Sequence, residues 1–151
     1  MQGQLDPIQL MQKIGELESK IDALRTIEIG GVWQNYTVVW TASSTNPSIG
    51  NGSLVSRYCV IGKICFFNIY LVAGSTTTFG AGECMFSLPF TAAFAIGAGS
   101  VKIFDYGTAW LNSICKFVSP TQVYIPPVSA TYPMTWTTDD ILELSMFYEI
   151  T

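Results

Sequence analysis

The first part of the chain carries apolar residues at a helical spacing. Between residues 10 and 27 they recur at alternating steps of four and three, which places them on one narrow stripe of a helix: Leu10, Ile14, Leu17, Ile21 and Leu24. Asp6 is placed to cap this helix, and Pro7 to occupy its first position, where a missing N–H costs nothing. An isolated helix of about 18 residues is marginal in water, so the stripe predicts a coiled coil between copies of the chain.

The heptads leave the number of copies open. Ile14 and Ile21 fall at a positions and the three leucines at d positions, which in free peptides favours a parallel dimer. The domain that follows the helix also bears on the number of copies. A dimer and a trimer therefore both fit the heptads.

From Gly30 onward the pattern changes to short apolar segments separated by glycine, proline and asparagine. Many short strands with such punctuation are typical of an all-β domain. We expect about eight strands, at residues 32–41, 54–61, 64–72, 83–88, 95–104, 108–118, 122–125 and 141–150. The chain therefore divides into a coiled-coil stalk and attachment segment, residues 1–29, and a β-sandwich domain, residues 30–151.

One hairpin can be placed in register from the sequence. If Gly62-Lys63 is a two-residue turn, Ile61 faces Ile64 and Cys59 faces Phe66. One face of this hairpin is then almost continuously apolar and is predicted to be the core: Leu54, Ser56, Tyr58, Val60, Cys65, Phe67, Ile69 and Leu71. The other face is also too apolar for water, which indicates a contact with a second sheet or with another subunit.

Charge is sparse in this sequence. Charged residues make up 12% of the chain, about half the usual share, aromatic residues make up 13%, and the net charge is −4. The cations after Gly30 are scattered singly rather than gathered in a stripe, so we do not expect nucleic-acid binding. Such low charge favours a component of an assembled particle.

The first residues lack the basic and apolar regions of a signal peptide, so we expect assembly in the cytoplasm of the producing cell. The apolar run from Tyr58 to Ala73 is short and is interrupted by Lys63 and Asn68. It predicts two strands rather than a membrane span. No membrane insertion is expected.

The inventory of reactive side chains argues against catalysis. The chain has no histidine, which excludes the common Ser-His-Asp and Cys-His arrangements. Cys59, Cys65, Cys84 and Cys115 lack metal-binding spacing and are predicted to be structural thiols. We expect no enzyme activity, no metal and no cofactor. Asp139-Asp140 most simply ends a loop, and a calcium site there is the minor alternative.

Aromatic residues in the predicted loops suit glycan binding. Sugars need aromatic faces for their apolar sides and neutral hydrogen-bonding groups around them. The candidates are Trp136, Tyr132, Tyr106, Trp110 and Phe79. Trp136 and Tyr132 rank first because they lie in the long loop 130–140. For each ring taken alone, packing in a core or an interface is the alternative.

Several short motifs in the β-domain follow one another in the order seen in a known family. The sequence resembles the C-terminal β-domain of phage fibre proteins over most of residues 32–150. The motifs are Trp33-Gln34-Asn35-Tyr36-Thr37, Thr41-Ala42-Ser43, Asn46 to Gly52, Arg57-Tyr58, Ile61-Gly62-Lys63, Gly74 to Gly80, Phe86-Ser87-Leu88-Pro89, and Trp136 to Asp140. The resemblance implies a trimeric, jelly-roll-like antiparallel sandwich on a virion.

Two functions fit this resemblance. In the first, the chain is a bacteriophage tail-fibre or receptor-binding protein, a homotrimeric adhesin that binds a host surface polysaccharide without turnover. Its N-terminal segment would attach to another virion protein, in the tail or baseplate or on the capsid. In the second, the chain is a capsid decoration or head-fibre trimer with a structural role. Adsorption to host cells would separate the two.

Overall fold

The computed structural model describes residues 6–26, 31–126 and 131–151, with the backbone alone for residues 23–26. Contacts divide the chain into a first unit that ends at Val32 and a second unit from Trp33 to Thr151, which we call the β-domain. The predicted boundary between residues 29 and 30 and the side chain of Leu24 lie outside the described residues. Each unit is described by itself.

The first unit contains one helix, α1 (Pro7–Thr26). The predicted N-cap is confirmed, since Oδ1 of Asp6 accepts hydrogen bonds from the backbone N–H groups of Ile8 (2.8 Å) and Gln9 (2.9 Å). Oε1 of Gln9 in turn accepts from the Asp6 N–H at 3.2 Å, which completes a capping box. The stripe residues Leu10, Ile14, Leu17 and Ile21 are between 46% and 52% exposed. No other described residue of the first unit covers them.

The described helix is not long and apolar enough to cross a membrane.

The described part of the β-domain contains nine strands, and most of the predicted strands are found with small shifts of their ends. They are β1 (Gln34–Asn35), β2 (Trp40–Ala42), β3 (Ser53–Ile61), β4 (Ile64–Val72), β5 (Cys84–Ser87), β6 (Ala98–Asp105), β7 (Ala109–Ser119), β8 (Gln122–Ile125) and β9 (Ile141–Glu149). The predicted strand at 32–41 was wrong as a single strand. It is divided into β1 and β2, which pair with β3 and β5 respectively.

All nine strands belong to one antiparallel sheet with the order β1-β3-β4-β9-β6-β7-β8-β5-β2. Because β1 and β2 occupy opposite edges, residues 36–39 pass from one edge to the other. The Tyr36 N–H donates to the Ser56 carbonyl oxygen at 3.2 Å, and the Val39 N–H donates to Oγ of Ser87 at 2.8 Å. This crossing segment curls the sheet around its own core. The all-β prediction is confirmed, whereas a two-layer jelly-roll sandwich is not.

The predicted hairpin register is confirmed, with Ile61 opposite Ile64 and Cys59 opposite Phe66. The predicted core face is also confirmed, since Phe67, Ile69 and Leu71 are buried and join the main apolar cluster. We call the opposite side of the sheet the outer face. It carries exposed Val55, Phe66 and Tyr70, and no second sheet covers it within the described residues. A contact with another subunit remains the expectation for this face.

All four cysteines are buried free thiols. Burial raises the pKa of Cys84 to about 12 and that of Cys115 to about 11, and it also raises the pKa of Cys65. Cys59 and Cys65 stand on opposite faces of the hairpin, as the register predicts.

Thiol titration checks this arrangement. We expect the native protein to react very slowly with a disulfide reagent at mildly alkaline pH, because all four thiols are buried. In guanidinium chloride all four cysteines should react at once. Fewer reactive thiols in the denatured, unreduced protein would reveal a disulfide and contradict the structure.

Candidate functional site

An exposed group of aromatic rings lies at the turn between β6 and β7. Phe104 and Trp110 are cross-strand partners on the outer face, and their rings stack with centroids 4.6 Å apart and planes at 28°. The Tyr106 ring meets Phe104 edge-on at 6.1 Å. Tyr106 is 62% exposed and Trp110 57% exposed. We call Phe104, Tyr106 and Trp110 the aromatic platform. It presents flat apolar faces to solvent from a two-stranded support.

A buried carboxylate fixes the turn that carries the platform. Asp140 is fully buried, and its Oδ1 accepts a hydrogen bond from the Tyr106 N–H at 2.8 Å. Its Oδ2 accepts from the Thr137 N–H and from the Thr137 hydroxyl, the latter at 3.2 Å. Both oxygens of the carboxylate are therefore engaged, as burial of a charge requires. Asp140 ties the β6–β7 turn to the loop that precedes β9.

Replacing Asp140 with asparagine should lower the free energy of unfolding by about 2 to 4 kcal/mol, because one acceptor becomes a donor that faces buried N–H groups. Urea unfolding measures the change. Asp139→Asn is the matched control, since Asp139 is exposed and should shift stability by at most about 0.5 kcal/mol. Equal stability of both variants would show that the Asp140 hydrogen bonds do not hold this loop.

A polar pocket of about 290 Å³ opens at the same end of the sheet. It is lined by Asn51, Gly52, Ser53, Val72, Ala73, Gly74, Ser75, Thr138 and Asp139. Asn51 is engaged within the wall, since its Oδ1 accepts from the N–H and hydroxyl of Thr76, both at 2.9 Å, and its Nδ2 donates to Oγ of Ser75 at 3.0 Å. In contrast, Ser53, Thr138 and Asp139 make no side-chain hydrogen bond among the described residues. These three polar side chains of the pocket are therefore available to bind a ligand.

The other predicted glycan-binding aromatics lie elsewhere. Phe79 is only 8% exposed and stacks on half-buried Trp136, with centroids 4.1 Å apart and planes at 15°. The edge of Trp40 packs against Phe79 at 5.1 Å, so this pair belongs to the core. Tyr132 is exposed but makes no ring contact within the described residues. Of the five candidates, the structure thus places Tyr106 and Trp110 on the surface around Phe104, buries Phe79, and packs half-buried Trp136 against it.

Phe104 was missed by sequence reasoning. Its position could have been found from the turn at Asp105-Tyr106-Gly107, because a short hairpin there places Phe104 close to Trp110 on the neighbouring strand. The pocket residues Ser53 and Thr138 were also missed. They are far apart in the sequence, and no motif links them.

A second, apolar groove of about 210 Å³ lies on the outer face. Its walls are Trp33, Phe66, Asn68, Ser145, Met146 and Phe147. The rings of Phe66 and Phe147 are cross-strand neighbours with centroids 5.8 Å apart, and the Arg57 guanidinium lies 5.6 Å from the centre of the Trp33 ring. This groove is suited to apolar contacts rather than to sugars.

Reactive groups do not gather at either site. Among residues 6–26, 31–126 and 131–151, no three acidic or cysteine side chains come together in a way that could hold a metal ion. The Asp140 carboxylate of the predicted calcium alternative is occupied by N–H and hydroxyl donors.

One curated protein is similar to most of this chain. The chain is similar to the Mu-like prophage FluMu defective tail fiber protein of Haemophilus influenzae, with 29% identity over 125 aligned residues. The alignment covers 76% of this chain and 20% of the relative, so the chain spans about a fifth of that protein's length. No family model matches the sequence. No solved structure gives a significant match. The predicted relationship to phage tail fibres is confirmed.

Proposed function

We propose that this chain is a receptor-binding part of a bacteriophage tail fibre, a non-catalytic homotrimeric adhesin that binds a host surface glycan. The observation that carries the proposal is the aromatic platform, two exposed rings held around a third at the end of a rigid hairpin. Large apolar rings are costly to leave in water, and a flat ring beside hydrogen-bonding groups matches the apolar face of a sugar.

Self-association is supported by the helix. The capped helix α1 presents an apolar stripe at heptad spacing, and the described side chains of this stripe are about half exposed. Three parallel helices would bury this stripe, and three copies would present three platforms on one particle. Weak single sites combined in this way give strong attachment through avidity. The exposed outer face offers a further surface for contact between copies.

The similarity to a tail fiber protein supports a place for the chain in the phage tail. In this proposal the N-terminal segment joins another virion protein in the tail or baseplate, and the β-domain meets the host. Binding requires no cofactor and no turnover. Because that relative is a tail fiber protein, the comparison favours attachment to the tail over a role in capsid decoration.

Cell adsorption tests the proposal. The purified, fluorescently labelled chain should coat cells of the phage's host and compete with infection by the virion. Periodate oxidation of the cell-surface glycans should abolish both effects. Undiminished binding after oxidation would point to a protein receptor. Binding to emptied capsids alone would favour a decoration role.

A further inference from the structure

We propose that the aromatic platform and the polar pocket are the two ends of one binding row, and that this row holds an extended, uncharged saccharide of several units. This inference rests on the proposed function and deepens it, because it names the class of glycan and assigns a second contact region.

The register of the sheet joins the two ends. Trp110 lies opposite Phe104, Phe104 opposite Ile141, Ile141 opposite Val72, and Val72 opposite Ser53. We call these five residues the outer row. Each is next to a residue that lies in the core or packs against it, as Phe104 follows buried Ile103, so all five side chains lie on the outer face. The first two belong to the platform, and the last two line the pocket.

The length of the outer row sets the size of the ligand. It crosses five adjacent strands, so its ends are about 19 Å apart at the usual spacing between strands. One sugar ring cannot reach from Trp110 to the pocket. A ligand that uses both ends must therefore be an oligosaccharide, or a stretch of a longer polymer, laid across the strands.

The two ends offer complementary chemistry. The platform supplies ring faces, and the pocket supplies the hydroxyl groups of Ser53 and Thr138 and the carboxylate of Asp139, which are unused within the described residues. Half-buried Val72 and Ile141 form an apolar floor between them. A sugar chain has both apolar ring faces and a rim of hydroxyl groups, and so matches the whole row.

The charges near the row select against acidic glycans. The Asp139 carboxylate lines the pocket, and no ion-pair partner for it is found among the described residues. The nearest cation along the sheet, Lys102, sits directly opposite Glu143 in the next row of the outer face. An acidic sugar would bring like charge to Asp139, whereas hydroxyl groups can donate hydrogen bonds to it. The ligand is therefore an uncharged saccharide.

The test uses the intact chain and polysaccharide extracted from the host cells that it coats. Partial hydrolysis and anion exchange give uncharged and acidic fragments sorted by length. Uncharged fragments long enough to span the row should compete well with the intact polysaccharide, and single sugar units should compete poorly. Acidic fragments of equal length should compete weakly, and Asp139→Asn should improve their relative binding.

Variants separate this inference from the proposed function. Ser53→Ala combined with Thr138→Val should weaken the binding of long fragments roughly ten-fold and leave the binding of the shortest fragments unchanged. Trp110→Ala should weaken both. Ile114→Ala, on the same strand and face as Trp110, is the control for folding and for general surface effects.

Each outcome decides a different statement. If Trp110→Ala loses binding while the pocket variant binds fragments of every length like the parent chain, the inference is wrong and the proposed function stands. A preference for acidic fragments would likewise overturn the inference alone. If the parent chain does not bind the polysaccharide, the proposed function fails as well.

Discussion

Replacing Leu17 with aspartate is expected to convert the proposed trimer into a monomer. Leu17 is a d residue at the middle of the α1 stripe and is 52% exposed in the single chain. Three carboxylates brought together in an apolar seam would cost far more than the 20-residue helix α1 gains by association. Analytical ultracentrifugation of the intact chain measures the mass directly. Loss of trivalency should also weaken cell binding by about 10² to 10⁴.

Gln12→Asp is the matched control for this variant. It introduces the same charge into the same helix, at a position away from the stripe, and should leave the mass unchanged. Near-ultraviolet circular dichroism would verify that the β-domain is folded in both variants. If the Leu17 variant keeps the mass of the control, the copies associate through another surface, and the exposed outer face around Phe66 and Phe147 is the next one to test.

Replacing Trp110 with alanine is expected to abolish most binding to the host glycan. Trp110 contributes the largest exposed ring of the platform, and truncation of a tryptophan at the centre of a binding surface commonly costs 2 kcal/mol or more, about thirty-fold in Kd. Because each proposed trimer would carry three platforms, the loss of avidity on cells should be larger still. Titration with soluble glycan fragments measures the effect on the single site.

The stability of the Trp110 variant should change little, since the side chain is more than half exposed and rests on Phe104 rather than in the core. Ile114→Ala removes an exposed apolar side chain from the same face of β7 and should bind like the parent. Full binding by the Trp110 variant would remove the platform from the proposed site. Tyr132, which is exposed and separate from the platform, would then be the remaining surface aromatic among the predicted residues.

Local pattern was enough to place most strands and one cap. The alternation around Gly62-Lys63 fixed both the register of the β3–β4 hairpin and its core face, because a two-residue turn admits one pairing and the side chains alternate with period two. Asp6 and Pro7 fixed the start of α1 for an equally local reason, since a cap satisfies N–H groups two or three residues away.

Reasoning from local pattern failed for residues 32–41, a short segment that pairs with two distant strands. The predicted strand at 32–41 has a continuous strand-like composition, yet Gln34 pairs with Tyr58 and Trp40 pairs with Phe86 at the other edge of the sheet. No spacing within ten residues can show that a segment leaves one edge and joins the opposite one. The prediction of two packed layers is not confirmed for the same reason, because residues 36–39 connect the two edges of one curled sheet.

The residues of the candidate site were also only partly predictable from the sequence. Tyr106 and Trp110 could be selected from the sequence as aromatics at a turn, but Trp136 and Phe79 fitted that description equally well and proved to stack in the interior. Exposure of a ring depends on which distant strands pack over it. Asp140 is buried, whereas the neighbouring Asp139 is exposed. This difference depends on the turn at Tyr106, whose N–H donates a hydrogen bond to Asp140.

The sequence by itself determined the capped helix with its apolar stripe, the positions of most strands, the register of one hairpin and the relationship to phage fibres. These features depend on spacing within a few turns of a helix or a single hairpin, where the allowed geometries are few. The tertiary structure alone decided the order of strands in the curled sheet, the exposure of the platform and its alignment with the pocket at Ser53 and Asp139. Those features depend on pairing between distant segments, for which many arrangements satisfy the same local pattern and only packing of the shared core selects one.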